Sequence, residues 1–459
     1  MALRDQRGLA ISTINGRALV HYETAVHLLC GFSKDPLAEI EAALAKQPDF
    51  VMAHALRGAL FLLSTDKAAE PELRRSVEAA EALGAKANTR ERLHVTAIRA
   101  WLDGEYQRAS EIYGQIVIDY PRDLLALFVG HQIDALLGQT TQLRDRVARV
   151  LPAWDEHVPG FGFALGMLAF GLQENNQLGR AEEMGRRALD LNPRDAWAIH
   201  AVTHVMETEG RHADGIAWLS SRKVDWAADN LFAFHNWWHL ALFHLDTEQT
   251  TRVFELYDTR IRPMPSSIVI ETRDATALLW RLWLRGADCG ERWTELADAW
   301  EPMAGDAHYA FNDMHAMMAF VATGRRFAMR RLLAALERRA LGGGTNAMMT
   351  RDAGLPVCRA LAAFAEGEHG SAAAMLQALK PMSHRLGGTH AQRDVLGLTL
   401  IEAAIRDGNG ALARALASER TVAKPSSPFN WALTARALDL TGERQGAAQA
   451  RARAILLAA

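Results

Sequence analysis

Two histidine pairs carry spacing that suits chemistry. In the segment from Asp195 to Glu207, His200 and His204 are four residues apart and Glu207 follows three later. On a helix these three share a face, since residues three and four apart are neighbours. Two such imidazoles can hold one divalent transition-metal ion, with the carboxylate as ligand or base. Ala201 stands where the zinc-protease motif HExxH needs Glu, so that mechanism does not transfer. His235 and His239 repeat the spacing, with Trp237 and Trp238 between them. His244 falls about 140° round the helix from His239 and is set aside. A third segment puts His308, Asn312 and His315 on one expected face, with Asp313 beside them.

These residues lie in an enriched region. Six of the 17 His fall between His200 and His244, and nine of the 12 Trp between Trp197 and Trp300. A helical core requires neither type, so the excess asks for a local cause. Neutral imidazoles and carboxylates suit general acid–base work or metal-assisted hydrolysis. The bland alternative is a set of amphipathic side chains satisfied by hydrogen bonds in a polar groove. A further constellation runs from Gly387 to Asp394: two glycines, Thr389, His390, Gln392, Arg393 and Asp394. It reads as a ligand-approaching loop or as a well-made helix start, with Thr389 or His390 as cap.

Helices must position all of this. Apolar residues recur at i, i+3, i+4 and i+7 through most of the chain, and strand signals are scarce. From Phe161 to Asp195, Leu165, Leu168, Ala169 and Leu172 form one stripe, Ala181 and Ala188 a small-residue stripe, and Pro193 closes the unit. This is the pattern of a tetratricopeptide (TPR) hairpin. Leu93, Ala97, Ala109, Tyr113, Ile116 and Pro121 repeat it, and Leu37–Pro48 resembles the second half of an earlier unit. The closing prolines Pro48, Pro121 and Pro193 are 73 and 72 residues apart, two units each. The expected fold is therefore all-α: a TPR-like α-solenoid, curved or ring-like. Residues 1–300 form its repeats, and 301–459 form degenerate hairpins that continue and cap it, with Arg444, Arg451 and Arg453 in the last helix.

The chain also resembles the tetratricopeptide repeat protein 38 family over nearly its whole length. The resemblance rests on ordered motifs: Pro48–His54, Thr89–Ile98, Tyr120–Leu127, Gly166–Glu174, Asp195–Glu207, His235–His239, Phe311–His315 and Gly387–Asp394. Gln173 departs from the pattern, where an acidic residue is expected. The resemblance implies the helical architecture and no settled activity. It adds weight to grouping Asn312–His315 and Gly387–Asp394 in one site.

Composition narrows the classes. The chain has 459 residues, 49% of them apolar and 23% charged, with a formal net charge of −3. Near-zero charge argues against sequence-independent nucleic-acid binding. The longest apolar stretch, 161–172, is shorter than the about 20 residues of a membrane span. Three dispersed cysteines (Cys30, Cys289, Cys358) make no CxxC pair and fit a reducing cytoplasm. There is no GxSxG elbow, Walker A loop or dinucleotide fingerprint. Met206, Met317 and Met318 read as core filler, and the Arg-rich stretch 325–339 as a solvated face.

The expectation is an internal pocket acting on a small molecule. His200, His204, Glu207, His235, His239, Asp313 and His315 would be catalytic. His54, Trp197, Trp237, Trp238, Asn312, His390, Gln392, Arg393 and Asp394 would contact substrate. His200, His204, His235 and His239 would hold the metal. The alternative is a non-catalytic scaffold that binds a peptide or protein in its concave groove. No nucleic acid or membrane partner is expected, and homo-oligomerisation is left open.

Overall fold

The computed structural model describes residues 3–458, and they are helical almost throughout. Among them the single sheet is a hairpin of two-residue strands, β1 (Leu3–Arg4) and β2 (Ala10–Ile11). It is tied down by Arg7, which pairs with Glu23 at 2.8 Å, and by Arg90, which donates to the Ala10 carbonyl. No helix of the described residues is long and apolar enough to cross a membrane.

Ten helices follow in consecutive hairpins: α1 (Gly16–Cys30), α2 (Pro36–Lys46), α3 (Val51–Leu63), α4 (Glu70–Ala82), α5 (Thr89–Leu102), α6 (Tyr106–Asp119), α7 (Leu124–Leu136), α8 (Thr140–Val150), α9 (Phe161–Gln173) and α10 (Leu178–Leu191). Each odd-numbered helix packs on the next, which makes five TPR-like units. Pro48, Pro121 and Pro193 each sit just past the second helix of a hairpin, where a residue that cannot continue the helix belongs. Two whole hairpins separate successive members of this set, as the 73- and 72-residue spacings require.

The remaining helices are α11 (Ala196–Glu209), α12 (His212–Ser221), α13 (Lys223–Trp226), α14 (Ala233–Asp246), α15 (Thr250–Leu256), α16 (Val269–Leu284), α17 (Arg292–Trp300), α18 (Ala310–Ala322) and α19 (Arg326–Ala340). They continue with α20 (Gly344–Met349), α21 (Leu355–Ala365), α22 (His369–Leu379), α23 (His390–Arg406), α24 (Gly410–Ala423), α25 (Pro428–Leu440) and α26 (Arg444–Ala458). The chain divides into two compact units. One comprises the described residues up to Val205 with Arg222–Ala233 and Gly343–Asn346; the other comprises Met206–Ser221, Phe234–Gly342 and Ala347 onward. In the second unit α16 packs on α17, α18 and α23, and each helix from α21 to α26 packs on the next.

Local chemistry explains the helix starts. Asn88 and Glu91 form a reciprocal capping box on α5, as Thr389 and Gln392 do on α23. Asp123 caps α7 through the Ala126 N–H. Asp195 caps α11 by accepting from the Trp197 and Ala198 N–H groups, both at 3.0 Å. Gly166 leaves room for that cap, since a Cβ there would lie 3.0 Å from the Asp195 carboxylate. Gly171 lets α9 cross α8 closely: a Cβ would meet the Leu143 backbone at 2.5 Å.

One helix is shorter than the sequence suggests. The helix expected to carry His308, Asn312 and His315 on one face starts only at Ala310, because Ala307 takes φ +43 and Tyr309 is extended. His308 therefore precedes α18 and does not share its face with Asn312 and His315. Met206, Met317 and Met318 are core residues, all at most 2% exposed.

Candidate functional site

In the first unit, α11 carries the His200–His204 pair. Both rings are buried, and their centroids are 4.3 Å apart. Phe170 stacks on His200 at 5.3 Å, and Trp197 and Phe232 close on it at 4.9 and 5.0 Å. Trp197 donates its indole N–H to His131 Nε2 at 3.2 Å. Burial beside Arg146 lowers the His131 pKa to about 3, so this ring is neutral and can accept. The carboxylate set on the pair is Glu174, just past the end of α9, with Oε1 3.8 Å from His204 Nδ1. Burial raises the Asp195 carboxyl to about 7, outweighing its two backbone hydrogen bonds.

In the second unit, α14 carries His235 and His239, both buried, with centroids 4.8 Å apart. Trp238 stacks flat on His235 at 5.3 Å and meets His239 edge-on at 4.9 Å. Trp237 lies under the Arg260 guanidinium, 5.4 Å from its ring centre. Asp274 of α16 sits 2.5 Å from His235 Nδ1. Burial alone would raise the Asp274 carboxyl, but His235 and Arg273 outweigh it and hold the group below its ordinary value. The Nδ1 contact with this carboxylate fixes the orientation of the His235 ring.

Helix α18 places Asn312, Asp313 and His315 in the same unit, all buried. His315 donates from Nδ1 to the Phe311 carbonyl at 2.7 Å, and burial drops its pKa to about 3. Burial pushes Asp313 the other way, to about 8, so it is a neutral acid at pH 7.

Other sequence-marked residues make different attachments. Glu207 is ion-paired with Lys424. His54 is half-buried on α3 and bonds the Pro48 carbonyl at 2.8 Å. Gln392 completes the α23 capping box, Arg393 donates to the Gly387 and Gly388 carbonyls, and His390 is exposed. Asp394 takes both terminal nitrogens of Arg420, at 2.7 and 3.2 Å. Glu174, Asp274 and His131 were not among the sequence candidates. The available signal for Asp274 was an adjacent Arg–Asp pair ahead of the apolar run Ala277–Trp280 on α16.

The donor set fits a transition metal. Four buried imidazoles come as two one-turn pairs, and each pair has a carboxylate against one of its rings. Softer or harder ions would ask for thiolates or for oxygen ligands instead.

No family model matches the chain. Among solved structures, a human IFIT1 dimer with PPP-AAAA is similar over 97% of this chain and 96% of that one, at 11% identity and a TM-score of 0.43. The human IFIT1 dimer with m7Gppp-AAAA covers 88% and 90%, at 13% identity and 0.38. A complex of Naa15/Naa10 bound to HypK-THB covers 81% of this chain and 64% of the other, at 13% and 0.24. Likenesses this loose carry no argument about function.

Proposed function

We propose that the chain is a metal-dependent enzyme acting on a small molecule by hydrolysis, its divalent transition-metal ligands drawn from the His200–His204 pair of α11 and the His235–His239 pair of α14. The observation that carries this reading is the donor set itself. On α11, and again on α14, two buried imidazoles sit one helical turn apart, the spacing of a metal-binding pair. Asp274 already fixes the orientation of His235 in the manner of an outer-shell carboxylate. A bound ion would supply Lewis acidity and an activated water at neutral pH. The chain's own residues do the rest. Asp274 orients His235, Glu174 stands by His204 as a carboxylate able to take a proton, and Trp197, Phe170 and Trp238 exclude water around the rings.

Membership of the tetratricopeptide repeat protein 38 family, a cytoplasmic location and a change of repeat regularity near residue 300 are parts of the same proposal. The motif order supports the first. The free, buried Cys30, Cys289 and Cys358 support the second.

The deciding experiment is elemental analysis of protein purified without chelator or polyhistidine tag. About one equivalent of a transition metal is expected. The double variants His200→Ala/His204→Ala and His235→Ala/His239→Ala show which pair holds it. Metal kept at the wild-type level in both double variants, or no metal in wild type, would end the reading. A panel of ester and amide substrates, run on metal-loaded and stripped protein, then tests hydrolysis.

A further inference from the structure

The second unit contains a cavity of about 320 Å³ walled by α22, α23 and α24. Its size falls at the lower end of small-molecule pockets, roughly 300–1,000 Å³. Folded interiors leave few voids larger than a water molecule, so a space of this size asks for a reason. Leu376 and Leu379 of α22, Leu396 and Leu400 of α23 and Leu416 of α24 line it. All five are at most 7% exposed, and they border the space without filling it.

The charged groups round the cavity already serve one another. Arg420 is matched by Asp394 at 2.7 Å and Lys380 by Glu419. Arg393 donates to the Gly387 and Gly388 carbonyls. An ionic ligand would have to displace one of these partners. What the cavity offers beyond them is apolar surface. Gly397 contributes to it from the middle of α23, a 17-residue helix, where glycine is the poorest helix former short of proline. Packing does not require a glycine there. A Cβ at position 397 would meet nothing closer than Arg420 Nη1 at 3.4 Å, an ordinary contact. The missing side chain keeps this wall of the cavity open.

We propose that this cavity binds a neutral aliphatic molecule, of the kind of a medium-chain primary alcohol. The chain lies on the leucines and along Gly397. The hydroxyl lies at the polar end, where Ser383 and the matched ion pairs border the cavity. The site needs no metal, so it is tested in chelator-treated protein, independently of the histidine pairs.

Calorimetric titration of the full chain with butanol, hexanol, octanol and octanoate, each below its solubility or micelle limit, tests this. Octanol is expected to bind one per chain, and affinity should rise about fourfold per added methylene along the alcohols. Octanoate should bind at least about tenfold more weakly than octanol, because its ionised head would give up water for groups that are already bonded. Gly397→Leu should abolish octanol binding by filling the cavity. The change raises helix propensity and its Cβ meets no clash, so the thermal midpoint should hold or rise. Ala423→Phe, at an exposed position on the α24 wall, should weaken octanol as well and decides the matter if Gly397→Leu does not fold. The proposal is overturned if wild type binds no octanol, if octanoate binds as tightly, or if the folded variants bind octanol like wild type. A chain that sediments as a dimer and binds no alcohol would make a second copy the occupant and overturn it too.

Discussion

At the scale of single residues, burial decides what each acid and imidazole can do. Asp274 stays ionised because His235 and Arg273 outweigh its desolvation. Its replacement Asp274→Asn keeps size and shape but removes the charge that orients His235. Metal affinity should fall about 10- to 100-fold in a competition titration with a chromophoric chelator, with little change in helix content. Unchanged affinity would show that Asp274 does not support a ligand. Asp313 is the opposite case. Its pKa rises to about 8 in the folded chain, against about 3.9 unfolded, so the folded state holds a proton that the unfolded state releases. Its contribution to stability is therefore present at low pH and is lost as pH rises from about 4 towards 8. Asp313→Asn cannot titrate. Relative to wild type it should gain stability on going from pH 5 to pH 8, by an amount on the order of a few kcal/mol. Parallel melting curves for the two proteins across that range would refute the assignment.

At the scale of elements, small polar devices hold the hairpins in register. Asp123 caps α7, accepts from Arg90 at 2.7 Å and bonds His94 at 2.8 Å, so one carboxylate joins α5 to the next hairpin. Burial opposes its charge, but His94 and Arg90 hold its pKa far below the carboxylate range. Asp123→Ala leaves a buried guanidinium without its anion and α7 without its cap. A loss of about 3–5 kcal/mol is expected in denaturant unfolding; a loss within 0.5 kcal/mol, the usual range of a surface substitution, would mean the group is not coupled. The helical repeats were legible in the sequence because Leu165, Ala181, Ala188 and the closing prolines obey a local period. The Gly387–Asp394 segment was legible only as two alternatives. It is a helix start whose cap is Thr389 and whose next turns, Arg393 and Asp394, border a cavity. The start of α18 was misread because nothing in the sequence marks Ala307 for the left-handed region.

At the scale of the whole molecule, unit membership does not follow chain order: residues 206–221 belong with 234–342, and 222–233 with the first two hundred. An ion held only by the folded chain links occupancy to stability. Each tenfold rise in free metal above its Kd should add about 1.4 kcal/mol. Chelator-stripped protein should melt several degrees lower than metal-loaded protein, and the difference should vanish in the histidine double variant that loses the ion. An equal melting temperature with and without metal would remove ion binding from the account of stability.

The sequence by itself determined what lies within a few helical turns: all-helical periodicity, hairpins closed by proline, and imidazoles one turn apart on α11 and α14. Helix geometry sets those relations, and it is nearly independent of context. Only the tertiary structure decided which carboxylate serves which ring. Asp274 meets His235 across 39 residues, and Lys424 claims Glu207 across 217. Such partners depend on how separate helices pack and turn. A shift of one position along a helix rotates a side chain by about 100° and would bring up a different neighbour.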